Sequence, residues 1–151
     1  MVGKLGDFLQ GYAKIRAGGD ELIAKAIISA PPDKNLAITA LNSYGGDANE
    51  LLTFWAIPNM NLLANGNQKA GDISGALQIC STGFFGMSNA IGNTDANNRA
   101  TPFAADNGRG SGMGTFPLYL LPAGYSLVAA SFTANTATIY LSAGGFVCEG
   151  Y

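Results

Sequence analysis

The chain of 151 residues contains no histidine, and this absence removes more chemistry than any other. Without an imidazole, Ser-His-Asp and Cys-His arrangements cannot be assembled. The commonest metal ligand and the usual acid–base group near neutral pH are also missing. Charge is scarce as well: Asp, Glu, Lys and Arg make up 12% of residues, against roughly 25% in an average soluble domain. Residues 110–148 carry no charged side chain. The two cysteines, Cys80 and Cys148, are far apart, with no CxxC spacing, which argues against a zinc site or a secreted disulfide scaffold. Both read as small buried hydrophobes. There is no basic start followed by an apolar stretch and a cleavage site, so no secretory leader is expected. No apolar string approaches the roughly 18 residues of a membrane-spanning helix, so no membrane partner is expected. The eight basic residues are scattered singly in a chain of net charge −2. No stripe exists to neutralise a phosphate backbone, and nucleic acid is not an expected partner.

What remains is an ordinary apolar share, 48%, with Asn, Ser, Thr and Gly in place of charges. One reading is a monomer kept soluble by neutral polar groups. The sharper reading is a surface covered by other subunits, because charges are depleted where desolvating them is costly.

Residues 1–20 differ from the rest. Leu5, Phe8, Leu9, Tyr12 and Ile15 recur at a three-and-four spacing that predicts an amphipathic helix. Gly3, Gly6 and Gly11 each weaken such a helix by roughly 1 kcal/mol relative to alanine. The segment is therefore either a short helix packed on its own domain or an arm ordered on a neighbour, with Gly18 and Gly19 as its boundary.

Residues 21–151 read as an all-β domain. Strands are expected at 22–29, 36–44, 50–57, 76–82, 116–121, 125–132, 136–142 and 146–151. They are separated by turns such as Pro31-Pro32-Asp33, Pro122-Ala123-Gly124 and Ala143-Gly144-Gly145. Regularly spaced short strands predict an antiparallel β-sandwich, jelly-roll or immunoglobulin-like. A long Gly-, Asn- and Ala-rich loop is expected at 83–114, anchored by Phe84, Phe85, Met87, Ile91 and Phe103. Loops of that length usually serve a function or are ordered by a partner.

Alternation fails in one strand: Leu51, Trp55 and Ile57 point one way while Leu52, Phe54 and Ala56 point the other. Phe116, Leu118 and Leu120 oppose Tyr119 and Leu121 in the same manner. A sheet with one wet face would alternate apolar and polar. These strands must be covered on both faces, by the long loop and the N-terminal arm or by neighbouring subunits.

Chemistry-bearing patterns are weak. Carboxylates such as Asp33, Asp47, Asp72, Asp95 and Asp106 sit near Gly, Asn or Pro, where turn aspartates belong. The alternating glycines of 108–114 satisfy neither GxGxxG nor GxxxxGK[ST]. Trp55, Tyr44, Tyr119, Tyr125 and Tyr140 could stack on a sugar if exposed, although strand aromatics more often pack on each other or the core. No catalytic residue, cofactor or metal is expected, and the chain reads as non-enzymatic. An enzyme using carboxylates alone (Asp72, Asp95, Asp106) is the outlying alternative.

Two segments carry a resemblance: IISAPPDKNLAITALN at 27–42, and LYLLPAGYSLVAAS at 118–131 followed by Asn135, Ile139 and Gly145-Phe146. In this strand, Pro-containing turn, strand layout the chain resembles the small virion proteins of tailed bacteriophages, most of all capsid decoration or cement proteins. The resemblance implies a homotrimeric β-sandwich subunit, assembled in the host bacterial cytoplasm. It would bind the major capsid protein on the outside of the shell and reinforce it. The docking residues expected from hydrophobicity are Leu5, Phe8, Leu9 and Tyr12 of the arm, then Phe84, Phe85 and Met87 of the loop. A receptor- or glycan-binding module of a tail fibre is the alternative.

Overall fold

The computed structural model describes residues 4–45, 52–63, 66–81, 119–131 and 138–149. They form eight strands: β1 (Lys4–Ile15), β2 (Lys25–Ser29), β3 (Leu36–Gly45), β4 (Leu52–Pro58), β5 (Leu77–Ser81), β6 (Tyr119–Leu121), β7 (Tyr125–Ser131) and β8 (Ile139–Glu149). One sheet has the order β1-β8-β3-β6 and the other β2-β7-β4-β5, with every pairing antiparallel. The chain changes sheet at every connection except β4 to β5. This is the order of an eight-stranded jelly roll. The immunoglobulin-like alternative keeps several consecutive strands side by side, whereas here only β4 and β5 are consecutive neighbours.

Two expectations are corrected. Residues 4–15 are neither a helix nor a separate arm. They are an edge strand paired along β8 from Lys4↔Glu149 to Ile15↔Ile139. A bulge between Leu5 and Phe8 shifts the strand period, and apolar residues stand on both faces, Phe8 and Tyr12 outward, Leu9 and Ile15 inward; together these mimic helical spacing. Gly11 is needed for contact between the sheets, because a Cβ there would land on the Ile27 carbonyl oxygen of β2. Nor do residues 143–145 turn the chain. β8 runs straight through them, and its glycines permit close approach: a Cβ on Gly144 would stand 2.7 Å from the Phe8 ring, and one on Gly145 would meet the Ala37 carbonyl of β3. The 22–29 strand begins only at Lys25, since Leu22 has a positive φ of 61° that interrupts extended backbone. The Pro122 turn forms as expected, with the Tyr125 N–H donating to the Pro122 carbonyl at 3.1 Å and Gly124 at φ 77°, a type II geometry.

Between the sheets lies a core in which Ile15, Leu36, Ile38, Leu52, Phe54, Leu121, Leu127 and Ile139 are fully buried. A second, smaller core covers the outer face of the β2-β7-β4-β5 sheet. Ala70 and Ile73 from the 59–76 connection, with Ala24, pack on Ile57, Val128 and Ala130, and Trp55 and Leu62 lie against them. The cover is tied down by the Ala24 N–H to the Gln68 carbonyl (2.7 Å) and the Ala70 N–H to the Leu22 carbonyl (2.9 Å). The two-sided apolar character of β4 is thus satisfied within the chain, by the β4–β5 connection rather than by the arm or a neighbour. The 83–114 loop lies outside the described residues.

The register places Ile15, Gly45 and Ile139 at one end of the first sheet. Lys25, Leu52, Ser81 and Ser131 lie at the corresponding end of the second. The chain leaves for 46–51, 82–118 and 132–137 from strand ends at this end of the sandwich.

Candidate docking and binding face

The outer face of the β1-β8-β3-β6 sheet has no second core over it among the described residues. Cross-strand register builds it in rows. The first joins Phe8, Phe146, Ala37 and Leu120 across all four strands, with Leu5 beside Cys148 beyond it. The Phe8 and Phe146 rings pack at a centroid distance of 4.9 Å, tilted by 55°. The second joins Gln10, Gly144 and Ala40, the third Tyr12, Ser142 and Asn42, and the fourth Lys14 and Tyr140. The face therefore has an apolar half and a polar half, divided at Phe8, with Lys14 as the one charge of the polar half.

Exposure sets this face apart. Among the described residues, eight large hydrophobic side chains are exposed; five of them are here: Leu5, Phe8, Tyr12, Leu120 and Tyr140. Lys14 is the one charged residue in the rows. Along the boundary between the halves runs an open groove of about 190 Å³ lined by Phe8, Gln10, Tyr12, Ala40, Asn42, Ser142 and Gly144. Gly144 and Ala40, with at most one side-chain carbon each, form its floor. The side chains of Gln10, Tyr12, Asn42 and Ser142 make no hydrogen bond to other described residues.

The expected docking residues divide. Leu5, Phe8 and Tyr12 lie exposed on this face, whereas Leu9 points inward and packs on the core, which removes it from the docking set. Phe146, Leu120 and Tyr140 join the face from β8 and β6; only the register, and no local sequence signal, brings them onto one face with β1. Phe84, Phe85 and Met87 lie outside the described residues, as do Asp95, Asp106 and the 108–114 glycines. Of the aromatics weighed for sugar stacking, Tyr140 is exposed, while Trp55 covers the second core and donates its Nε1–H to the Thr53 hydroxyl at 3.0 Å. Tyr119 and Tyr125 pack on the main core, and burial, with Tyr125 adding to it, lifts the Tyr119 phenol above its usual pKa.

No protein-family model matches the chain, and none of the curated proteins is similar to it. Its function must be read from the fold and the face themselves.

Two other features look functional at first sight. A groove of about 310 Å³ lies between β1, β2 and the 62–68 segment. Two of its three polar side chains are already engaged, leaving Lys14: the Lys25 ammonium is 3.2 Å from the Asp20 carboxylate, and Gln68 accepts from the Leu63 N–H and donates to the Asn61 carbonyl. Asp20 itself is 2% exposed and accepts from the Arg16 backbone N–H (2.7 Å), Nε (3.2 Å) and Nη2 (3.1 Å). Burial alone would push its carboxyl up. The hydrogen bonds from Arg16 and Lys25 outweigh that and hold it at about 2. Such a group stays ionised and ties the β1–β2 crossover. It does not serve as an acid or base. Cys148 is a buried free thiol.

Proposed function

We propose that this chain is a non-enzymatic virion structural protein, a decoration (cement) subunit that binds the outside of a phage shell through the apolar half of the β1-β8-β3-β6 face. The supporting observation is the gathering of Leu5, Phe8 and Leu120, with the half-buried Phe146, on one uncovered sheet face in a chain whose other outer face carries its own cover. The whole face, four strands wide and about seven residues long, presents about 450 Å² at ~4.8 Å between strands and ~3.4 Å per residue. Its apolar half is about half of that, so docking through it buries about 450 Å² over both partners, below the roughly 1,200–2,000 Å² of a stable standard interface. A contact of this size holds when many copies bind one lattice, where each bound copy raises the effective concentration of the next contact. The trimeric state and the major capsid protein as partner are what the resemblance implies, and a weak, multiplied contact is compatible with both.

The test is co-sedimentation with shells assembled from the major capsid protein of the same virion, with the mass of the free chain taken by light scattering. Wild type is expected to sediment with the shells, and the Leu5→Lys, Leu120→Lys double variant is expected to stay in the supernatant while keeping its melting temperature. Wild type that ignores shells, or a folded double variant that binds them normally, overturns the reading. A receptor- or glycan-binding module of a tail fibre is the second reading, and the polar half of the same face is the observation that favours it.

A further inference from the structure

We propose that the uncharged groove in the polar half of the β1-β8-β3-β6 face is a binding site for a neutral saccharide, with Tyr12 as the stacking platform and Gln10, Asn42 and Ser142 as the hydrogen-bonding groups. The site borders the apolar docking half, with the Phe8 ring as the shared wall of the groove, but its hydrogen-bonding groups all stand in the polar half.

Four observations carry the assignment. Tyr12 is 74% exposed, and an open ring on a rigid strand is a large amphipathic surface with little rotamer freedom to lose. In the same row as Tyr12 stand the Ser142 hydroxyl and the Asn42 amide, and one row away the Gln10 amide; together they flank a groove floored by Gly144 and Ala40. These groups have no protein partner among the described residues. Each amide offers both a donor and an acceptor, and the hydroxyl offers both as well, matching the vicinal hydroxyls of a sugar ring. The groove holds no charged side chain, so nothing in it recognises phosphate, carboxylate or sulfate, and nothing in it repels an uncharged ligand. Its walls stand on β1 and β3, two strand spacings or about 10 Å apart across β8, wide enough for a pyranose ring seated on edge.

Size limits the ligand. A groove of about 190 Å³ is smaller than the roughly 300–1,000 Å³ that encloses a drug-sized molecule. It takes one or two sugar units of a longer glycan, with weak affinity per site. Tyr140 lies diagonal to Tyr12 across β1 and β8 and gives the next ring along the glycan a second aromatic surface.

The experiment uses the full chain and two-dimensional NMR titration with methyl glycosides of glucose, galactose, mannose and N-acetylglucosamine, followed by an array of neutral and anionic bacterial oligosaccharides. Saturable shifts centred on Gln10, Tyr12, Asn42 and Ser142 are expected for at least one neutral sugar, with millimolar affinity unchanged between low and high salt. Tyr12→Ala and Asn42→Ala should each weaken binding about tenfold or more, and Leu5→Lys with Leu120→Lys should leave it intact. That double variant separates this site from shell docking, so either reading can fail alone. Absence of shifts with every neutral glycan, binding restricted to anionic glycans, or full binding by folded Tyr12→Ala overturns the proposal. So does loss of self-association in Tyr12→Ala without any sugar response, which would make the polar half a protein interface.

Discussion

Asp20 shows how one residue holds a crossover. Its folded-state pKa of about 2, against 3.8 for the free side chain, means that the folded form keeps its charge where the unfolded chain takes up a proton. The resulting stability is present in full above about pH 4 and is lost as pH falls through about 2. A shift of this size corresponds to at most about 2–3 kcal/mol, reduced by solvent screening because the Arg16 side chain is 64% exposed. Asp20→Asn should lower the urea midpoint at neutral pH and flatten the loss of stability between pH 4 and 2, read from urea unfolding at a series of pH values. At Gly11 the constraint is space: Gly11→Ala puts a methyl against the Ile27 carbonyl and should cost about 1–3 kcal/mol, measured by chemical denaturation.

The decisive element is β1. As a free arm it would be dispensable, and removing residues 1–17 would abolish docking without unfolding the sandwich. The structure reverses that expectation, because β1 pairs with β8 along most of its length and places Ile15 in the main core with Leu9 and Ala13 against it. Deletion of residues 1–17 should therefore give a chain without a cooperative thermal transition. Ile15→Ala alone should cost about 2–5 kcal/mol. Gly144→Ala tests a subtler point. The added methyl displaces the Phe8 ring and breaks the Phe8–Phe146 pair, worth about 1 kcal/mol. Near-ultraviolet circular dichroism should change while far-ultraviolet ellipticity stays the same.

For the whole molecule, the balance between lone domain and assembly shifts. Much of the apolar excess that suggested burial between copies is hidden by the chain itself, under Ala70, Ile73 and Ala24. Among the described residues, one sheet face of modest area is left uncovered. Such a protein should be well behaved when isolated and acquire avidity when arrayed. Under the proposed function, shell binding is expected to rise steeply with the number of sites per particle, and a single capsid protein subunit in solution should bind at least tenfold more weakly than the shell in a quantitative sedimentation assay.

Strand positions were legible because alternation and Gly/Pro punctuation are local: 36–44 and 125–132 agree with β3 and β7 to within about a residue, and the all-β class follows from their rhythm. The absence of histidine and the scarcity of charge likewise excluded whole classes of chemistry without a fold. Which strand lies beside which was not written locally. Jelly-roll order brings β1 next to β8 and β3 next to β6 across long stretches of sequence, and only that pairing sets Phe8 beside Phe146 and Tyr12 in line with Ser142 and Asn42. The same holds for the cover over β4 and for the glycines of β8, which read as a turn until a neighbouring ring and backbone fill the space their missing side chains leave. Periodicity along a chain reports which residues seek burial; the partner that buries them is fixed by contacts distant in sequence, and this chain's proposed binding face consists almost entirely of such contacts.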